Sequence, residues 1–346
     1  MSLLTHYRLR YAVGAVVLFI WALYAYSSAY MRPRPPSHRL CGTHLRDALR
    51  ESEAEYQDTV RQRKAMIRKY GPSPAEVESF PTHGEFYTLW DFFPPAYQCP
   101  HRVQRIGQLG DGGKYLCGLA LVAAQPACVV YSFGINSDSS FEADLLQRAP
   151  RCEVFGYDFS VRSFGPEITA HRALARRAHF FPYALGAHDA HAPADAPPTY
   201  TLRSLMRANG HVFVDILKID IEGSEFAALE AFLDSFSPSH ALGGGGVLPF
   251  GQLQLEIHAT GETEYKRFPR FLEWWEKLEN MGLRPFFSEA NLVYVNLVRG
   301  VMPDLIEYSF INTRGGHALL VDPPDERKDD EHTQAHRNAH AHDHQD

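Results

Sequence analysis

Residues 217–226 read Leu-Lys-Ile-Asp-Ile-Glu-Gly-Ser-Glu-Phe, and no other stretch restricts the fold as much. Ile216, Leu217, Ile219 and Ile221 make an apolar strand that carries Lys218 and Asp220 within it and ends in Glu222. Gly223 breaks the strand, and Ser224 with Glu225 can open a helix. In an open α/β sheet, ligands bind in the crevice outside the carboxyl ends of the strands. Carboxylates placed there lose solvation and need a partner, a ligand or a proton. The plainer alternative is a charged strand end followed by a helix first turn, where acidic residues are common anyway.

The surrounding pattern agrees with such a sheet. Strands are expected at 129–133, 153–157, 180–185, 214–221 and 253–257. Helices are expected at 141–148, 166–177, 201–209, from 224 through 236, and at 265–281. Three last strands, 283–287, 292–296 and 306–311, follow without a long helix between them. Alternating strands and helices imply a mostly parallel, doubly wound sheet. The close spacing at the end adds an antiparallel edge strand. Residues 80–100 are rich in aromatics and proline and read as an irregular cap, its rings core rather than ligand platform.

The chain divides into five parts. Residues 1–10 are expected in the cytosol. Residues 11–31 carry no charged side chain and just meet the length of about 20 apolar residues that spans a bilayer, so they are read as a transmembrane signal anchor. A cleaved signal peptide is the rival, because Ser27-Ser28-Ala29 offers small residues for cleavage. Residues 32–79 are a spacer and a helical stem capable of self-association, with Leu45, Leu49, Tyr56, Val60 and Ile67 at near-helical spacing. Residues 80–322 are the globular domain, and 323–346 a disordered His-rich tail. This plan places the domain in the lumen of the Golgi or secretory pathway on a single-pass anchor. Five Cys without a C-x-x-C spacing give no zinc ribbon or redox pair. Cys99 and Cys117 flank a turn-rich loop and are the preferred bridge. Cys128 and Cys152 are read as buried on neighbouring strands, either bridged or as small core residues. Cys41 is the odd thiol. A net charge of -7 with no basic stretch in the folded region excludes nucleic acid as a partner.

The first strand leads into Ser132-Phe133-Gly134-Ile135-Asn136, and the second ends in Asp158. A glycine after a strand lets the backbone approach a ligand, and a carboxylate some 20 residues later typically holds ribose hydroxyls. G-x-G-x-x-G is absent, which argues against NAD or FAD and fits a nucleoside cofactor lacking a pyrophosphate, such as S-adenosylmethionine. No residue set is read as metal ligands.

An ordered set of motifs then resembles a known family. They are Arg105-Ile106-Gly107, Asp111-Gly112-Gly113-Lys114-Tyr115, Tyr131-Ser132-Phe133-Gly134, Phe155-Gly156-Tyr157-Asp158, Leu217 to Gly223, Glu256-Ile257-His258, Asn291 and the run 307–312. Over roughly 97–313 they resemble the methyltransferase-like protein twenty-four type, related to the FkbM methyltransferases. The resemblance implies a Rossmann-like class I methyltransferase fold with an antiparallel seventh strand, and S-adenosylmethionine as methyl donor. On it, Phe133, Gly134 and Asn136 contact the methionine end and the ribose. Asp158 accepts the ribose hydroxyls, and Tyr183, Ala184 and Leu185 edge the adenine. Asp220 and Glu222 face the methyl-transfer point, with His258 or Asp220 as base for a hydroxyl acceptor. Lys218 is a buried partner for one of these carboxylates. The implied reaction is O-methylation of a sugar, glycan or small metabolite. Two other readings stay open: a luminal metal-dependent glycosyltransferase, whose acidic pair would be Asp220 and Glu222, and a catalytically inactive binding protein of the same fold.

Overall fold

The computed structural model describes residues 44–236, 246–261, 263–291 and 303–321. The expected anchor 11–31 with its flanks, Cys41, most of the glycine loop 243–246, the expected strand 292–296 and the tail 323–346 lie outside the described residues. Among the described residues no helix is long and apolar enough to cross a membrane.

The strands are β1 (Val103–Ile106), β2 (Lys114–Cys117), β3 (Cys128–Phe133), β4 (Cys152–Tyr157), β5 (Ala178–Phe181), β6 (Ala184–Leu185), β7 (Thr199–Tyr200), β8 (Val214–Ile219), β9 (Phe250–His258), β10 (Leu283–Ala290) and β11 (Leu305–Asn312). The helices are α1 (His44–Tyr70), α2 (Leu119–Ala123), α3 (Ser140–Arg148), α4 (Pro166–Thr169), α5 (Arg172–Ala175), α6 (Leu202–Ala208), α7 (Glu225–Asp234) and α8 (Phe268–Asn280). Seven strands make the central sheet in the order β10-β11-β9-β8-β3-β4-β5. The pairs β3–β4, β4–β5, β3–β8 and β8–β9 are parallel, and β11 runs antiparallel to both β9 and β10. This is a Rossmann-like sheet whose strand order reverses at β3, with β4 on one side and β8 on the other.

The antiparallel strand is not at the edge, as the sequence suggested. After β9 the chain crosses over through α8, so β10 lies parallel to β9 but one place too far out. β11 then returns into the gap, pairing Glu307 with Glu256 on one side and with Glu289 on the other. The stretch expected as one helix at 166–177 is two short helices, broken where His171 takes an extended conformation (φ -116°, ψ 96°). The strand expected at 180–185 divides at Pro182, which has no N–H to give to a ladder. Its first part is β5 in the central sheet, and Ala184–Leu185 pairs with β7 instead.

Strand periodicity sorts the core into two layers. Tyr131 and Phe133 of β3 join one cluster with Leu217, Ile219, Leu253 and Leu255. Val130 joins the opposite cluster with Val154 and Ile216. Alternate residues of a strand point to opposite faces, so each face needs its own helices. α8 serves the first face through Phe268, Phe271, Trp274, Trp275 and Leu278, spaced as one helical stripe. α3 serves the second through Phe141, Leu145 and Leu146. Two disulfides cross-link the second layer, Cys99–Cys117 and Cys128–Cys152. The latter joins residues that the parallel register already sets opposite each other.

α1 is not a free stem. Arg63 is 4% exposed and donates to both carboxylate oxygens of Glu279 in α8 (3.1 and 2.6 Å) and to the Phe92 carbonyl (2.8 Å). The Tyr56 hydroxyl donates to the same glutamate, and Arg284 of β10 grips Glu53 with two bonds of 2.9 Å. The apolar positions that suggested a stem face this domain. Breaking a buried ion pair from one side typically costs about 3–5 kcal/mol, because the remaining charge stays buried. Arg63→Ala is therefore expected to lower stability by about that amount, seen as a lower urea midpoint. Adding Glu279→Gln should return part of it.

Candidate active site

The carboxyl ends of β3, β4, β8 and β9 open on one cleft of about 770 Å3, within the range of small-molecule sites. Its lining includes all ten residues expected from the sequence: Phe133, Gly134, Asn136, Asp158, Tyr183, Ala184, Leu185, Asp220, Glu222 and His258. Two turns shape the floor. Gly134 has φ 79°, and a Cβ built there would lie 1.7 Å from the Asp220 carbonyl oxygen, so only glycine lets the β3 and β8 ends approach this closely. The second turn puts Glu222 itself in the left-handed region at φ 55° before Gly223. That conformation costs a branched or bulky residue most and is uncommon for glutamate.

Asp158 is 9% exposed, and its Oδ2 accepts from the Ile135 and Asn136 amides (2.9 and 2.7 Å). Its Oδ1 accepts from the Ser160 amide and hydroxyl, both at 2.7 Å. Burial pushes its pKa up, but these hydrogen bonds outweigh burial and hold the carboxylate below its usual range. Asp158 thus braces the loop after β3, and a ribose hydroxyl would have to replace the Ser160 hydroxyl on Oδ1. Lys218 does not pair with the cleft carboxylates by direct contact. Its ammonium donates to the Gly134 carbonyl (2.5 Å) and lies 3.9 Å from Glu142 behind the sheet end.

The cation that meets the cleft carboxylates is Lys114, at the start of β2. Its side chain is 2% exposed, and its ammonium contacts Glu307, Asp220 (3.5 Å) and Glu256 (3.8 Å). Burial alone would discharge Lys114; the attraction of Glu307, Asp220 and Glu256 outweighs it and holds the proton more firmly than usual. Asp220 follows the same balance, its burial overcome by Lys114 and Lys218, and stays ionised. Glu256 goes the other way: burial and the neighbouring Glu307 and Asp220 push it far up, so it keeps its proton. Asn291 donates to its Oε1 at 3.0 Å.

His258 ends β9 and is 5% exposed. Its Nδ1 lies 3.3 Å from Oε1 of the fully buried Glu225, which also accepts from the His258 amide (2.8 Å). The other oxygen of Glu225 accepts from the Gly223 amide at 2.8 Å. Nε2 faces Glu222 at 3.3 Å. Burial pulls the imidazole pKa down, but Glu225, Asp220 and Glu222 outweigh it, and the net direction is up.

Reading the sequence alone did not find Glu225, Glu256 or Glu307 as parts of the site, nor Lys114 as its counterion. Glu256 and His258 sit two apart on one strand and so share a face, which was the available signal. Glu307 opposite Glu256 depends on a pairing between distant segments. Lys114→Met would leave the buried carboxyls without their cation. It is expected to cost about 3–5 kcal/mol in a chemical denaturation series, and Glu307→Gln in the same chain should recover part of the loss.

The chain is similar to several known proteins. The rat protein named "Probable methyltransferase-like protein 24" is 32% identical over 183 residues, which cover 49% of this chain and 44% of that protein. The chain thus spans less than half of that relative's length. Among solved structures, Methanococcus jannaschii fibrillarin is 15% identical with a TM-score of 0.30, covering 61% of this chain and 82% of that one. An O-methyltransferase family protein from Burkholderia thailandensis is 13% identical with a TM-score of 0.28, covering 57% and 56%. A family model described as a methyltransferase domain matches residues 53–310, more than half of the 346 residues. The chain belongs to this methyltransferase-domain family.

Proposed function

We propose that this protein is an S-adenosylmethionine-dependent methyltransferase that O-methylates a sugar, a glycan or a small metabolite. One observation carries the reading. The cleft at the strand-order reversal is lined by five carboxylic acids (Asp111, Asp158, Asp220, Glu222 and Glu256), and its described lining holds no Lys or Arg. Such a surface attracts a cation and repels phosphate. A sulfonium nucleoside without phosphate suits it, whereas a sugar nucleotide would bring its diphosphate to a described lining without Lys or Arg.

The residues fit the cofactor in size and chemistry. Phe133 and Tyr157 stack with centroids 4.8 Å apart, and with Tyr183 they offer aromatic walls. Bound S-adenosylmethionine supplies an electrophilic methyl group and leaves as a neutral thioether. A hydroxyl acceptor would take that methyl group as its bond to sulfur broke, and would give up its own proton to a base or to water. Positioning carries much of such an in-line displacement. Asp220, paired with Lys114 and within the field of Lys218, is a weak base and orients rather than deprotonates. Glu222 and His258 are the remaining polar pair at the transfer point.

We place the domain in the lumen of the secretory pathway, held by residues 11–31. Two disulfides within the described residues suit an oxidising compartment.

Calorimetric titration of the purified protein tests the cofactor. S-adenosylmethionine should bind and raise the melting temperature by mass action. Stabilisation by a sugar nucleotide with manganese alone would replace this reading with the glycosyltransferase. Binding of neither would leave the inactive, binding-only reading. Asp158→Ala should weaken S-adenosylmethionine binding at least tenfold and lower stability by about 1–3 kcal/mol, since the buried Ile135 amide and the part-buried Asn136 and Ser160 amides lose their acceptor. Ser160→Ala frees a lone pair of Asp158 and should bind the cofactor as well as the parent or better. Weaker binding by Ser160→Ala would place the ribose elsewhere.

A further inference from the structure

We infer a divalent-cation site formed by Asp220, Glu222 and His258 at the transfer point of the cleft. One ligand atom from each of the three lies within 4.8 Å of the others. Two ligands about 2.1 Å from one ion stand roughly 3.0 Å apart at a right angle and about 3.4 Å apart in a tetrahedron. His258 Nε2 and Glu222 Oε2 are 3.3 Å apart.

The set is more than a group of acids. The His258 side chain is 6% exposed, and its Nε2 makes no hydrogen bond among the described residues, although it points into the set. Its other nitrogen faces Glu225, a fully buried carboxylate outside the three. Metal-binding histidines almost always give that second nitrogen to a carboxylate, carbonyl or water, which fixes the ring and its tautomer. Glu225 also holds the Gly223 amide, so one buried group sets both the ring and the turn that presents Glu222. The other acidic trio, Asp111, Glu256 and Glu307, holds no histidine, and Lys114 sits against two of its members, whereas it meets only Asp220 of the proposed set.

One imidazole with two carboxylates favours a first-row ion such as manganese or zinc over calcium or magnesium, which prefer oxygen alone. Asp220, Glu222 and His258 all line the cleft, so open coordination positions would face its interior. In the methyltransferase reading, on which this role rests, the ion would orient the acceptor hydroxyl and make it more acidic. That task would then not need a free imidazole.

The test titrates the full-length protein with manganese chloride, followed by paramagnetic resonance and calorimetry. Glu222 is the informative position, because its side chain is 87% exposed and its loss should leave the fold intact. The histidines of residues 323–346 also attract divalent ions, so only the difference between variants counts. The parent should bind one manganese ion that Glu222→Gln and His258→Gln bind at least tenfold more weakly, with unchanged melting temperature for Glu222→Gln. Glu225→Gln should weaken it about 10–100-fold. Equal stoichiometry and affinity in parent and Glu222→Gln would overturn the site. Binding of S-adenosylmethionine is measured separately: cofactor binding without this ion sinks the cation site alone, and ion binding without the cofactor sinks the methyltransferase reading alone.

Discussion

A single ammonium group, that of Lys114, lets the acidic end of the sheet exist. β9 and β11 set Glu256 directly against Glu307, and β10 adds Glu289 on the far side of Glu307. Asp220 follows the last residue of β8, beside β9. Like charges opposite one another destabilise a sheet. Lys114 contacts three of the four acids, and Arg105 from the same hairpin lies 3.9 Å from Glu289. Protonation of Glu256 removes a further charge. The β1–β2 hairpin, which is no part of the central sheet, therefore carries the counterions of that sheet's acidic end.

The order of strands and helices was legible because it rests on local periodicity. An apolar run that ends in Asp-Ile-Glu-Gly is short-range information, and so are a glycine after β3 and an aspartate after β4. That is why all ten expected cleft residues meet in one place. What sequence left hidden depends on distant partners. Arg63 looks like one more charge on a polar helix until Glu279 is set against it across 216 positions. Lys114 looks like a turn residue until Glu307, 193 positions away, arrives. The place of β11 follows from the crossover through α8, and nothing within the strand itself announces it. Sequence alone does not choose between thiols and a bridge for Cys128 and Cys152, and the parallel register of β3 and β4 brings them face to face.

Asp158 shows how one residue type can satisfy a sequence rule and still work differently in the fold. Its position after the second strand matches the ribose-binding habit of such sheets. Yet its lone pairs are already taken by two backbone amides of the β3 loop and by Ser160. The loop carries Asn136 at φ 50°, a conformation that asparagine tolerates better than most residues. The carboxylate thus pre-forms the loop before any ligand arrives, and preorganisation of this kind lowers the ordering cost of binding.

The same trade recurs across the cleft. Glu222 is held in a left-handed conformation, Gly134 touches the Asp220 carbonyl, and three acids crowd one lysine. The left-handed glutamate and the crowded acids each lower stability, and such features persist only where the surroundings over-determine them. Here the restraint comes from the opposite ends and faces of the same sheet. The Arg63–Glu279 and Arg284–Glu53 pairs lock α1 across α8 and β10, and the disulfides tie β3 to β4 and β2 to the segment before β1. None of these groups lines the cleft. Rigidity is therefore supplied away from the cleft, which leaves the strand tips free to hold an excess of negative charge that a closed core could not carry.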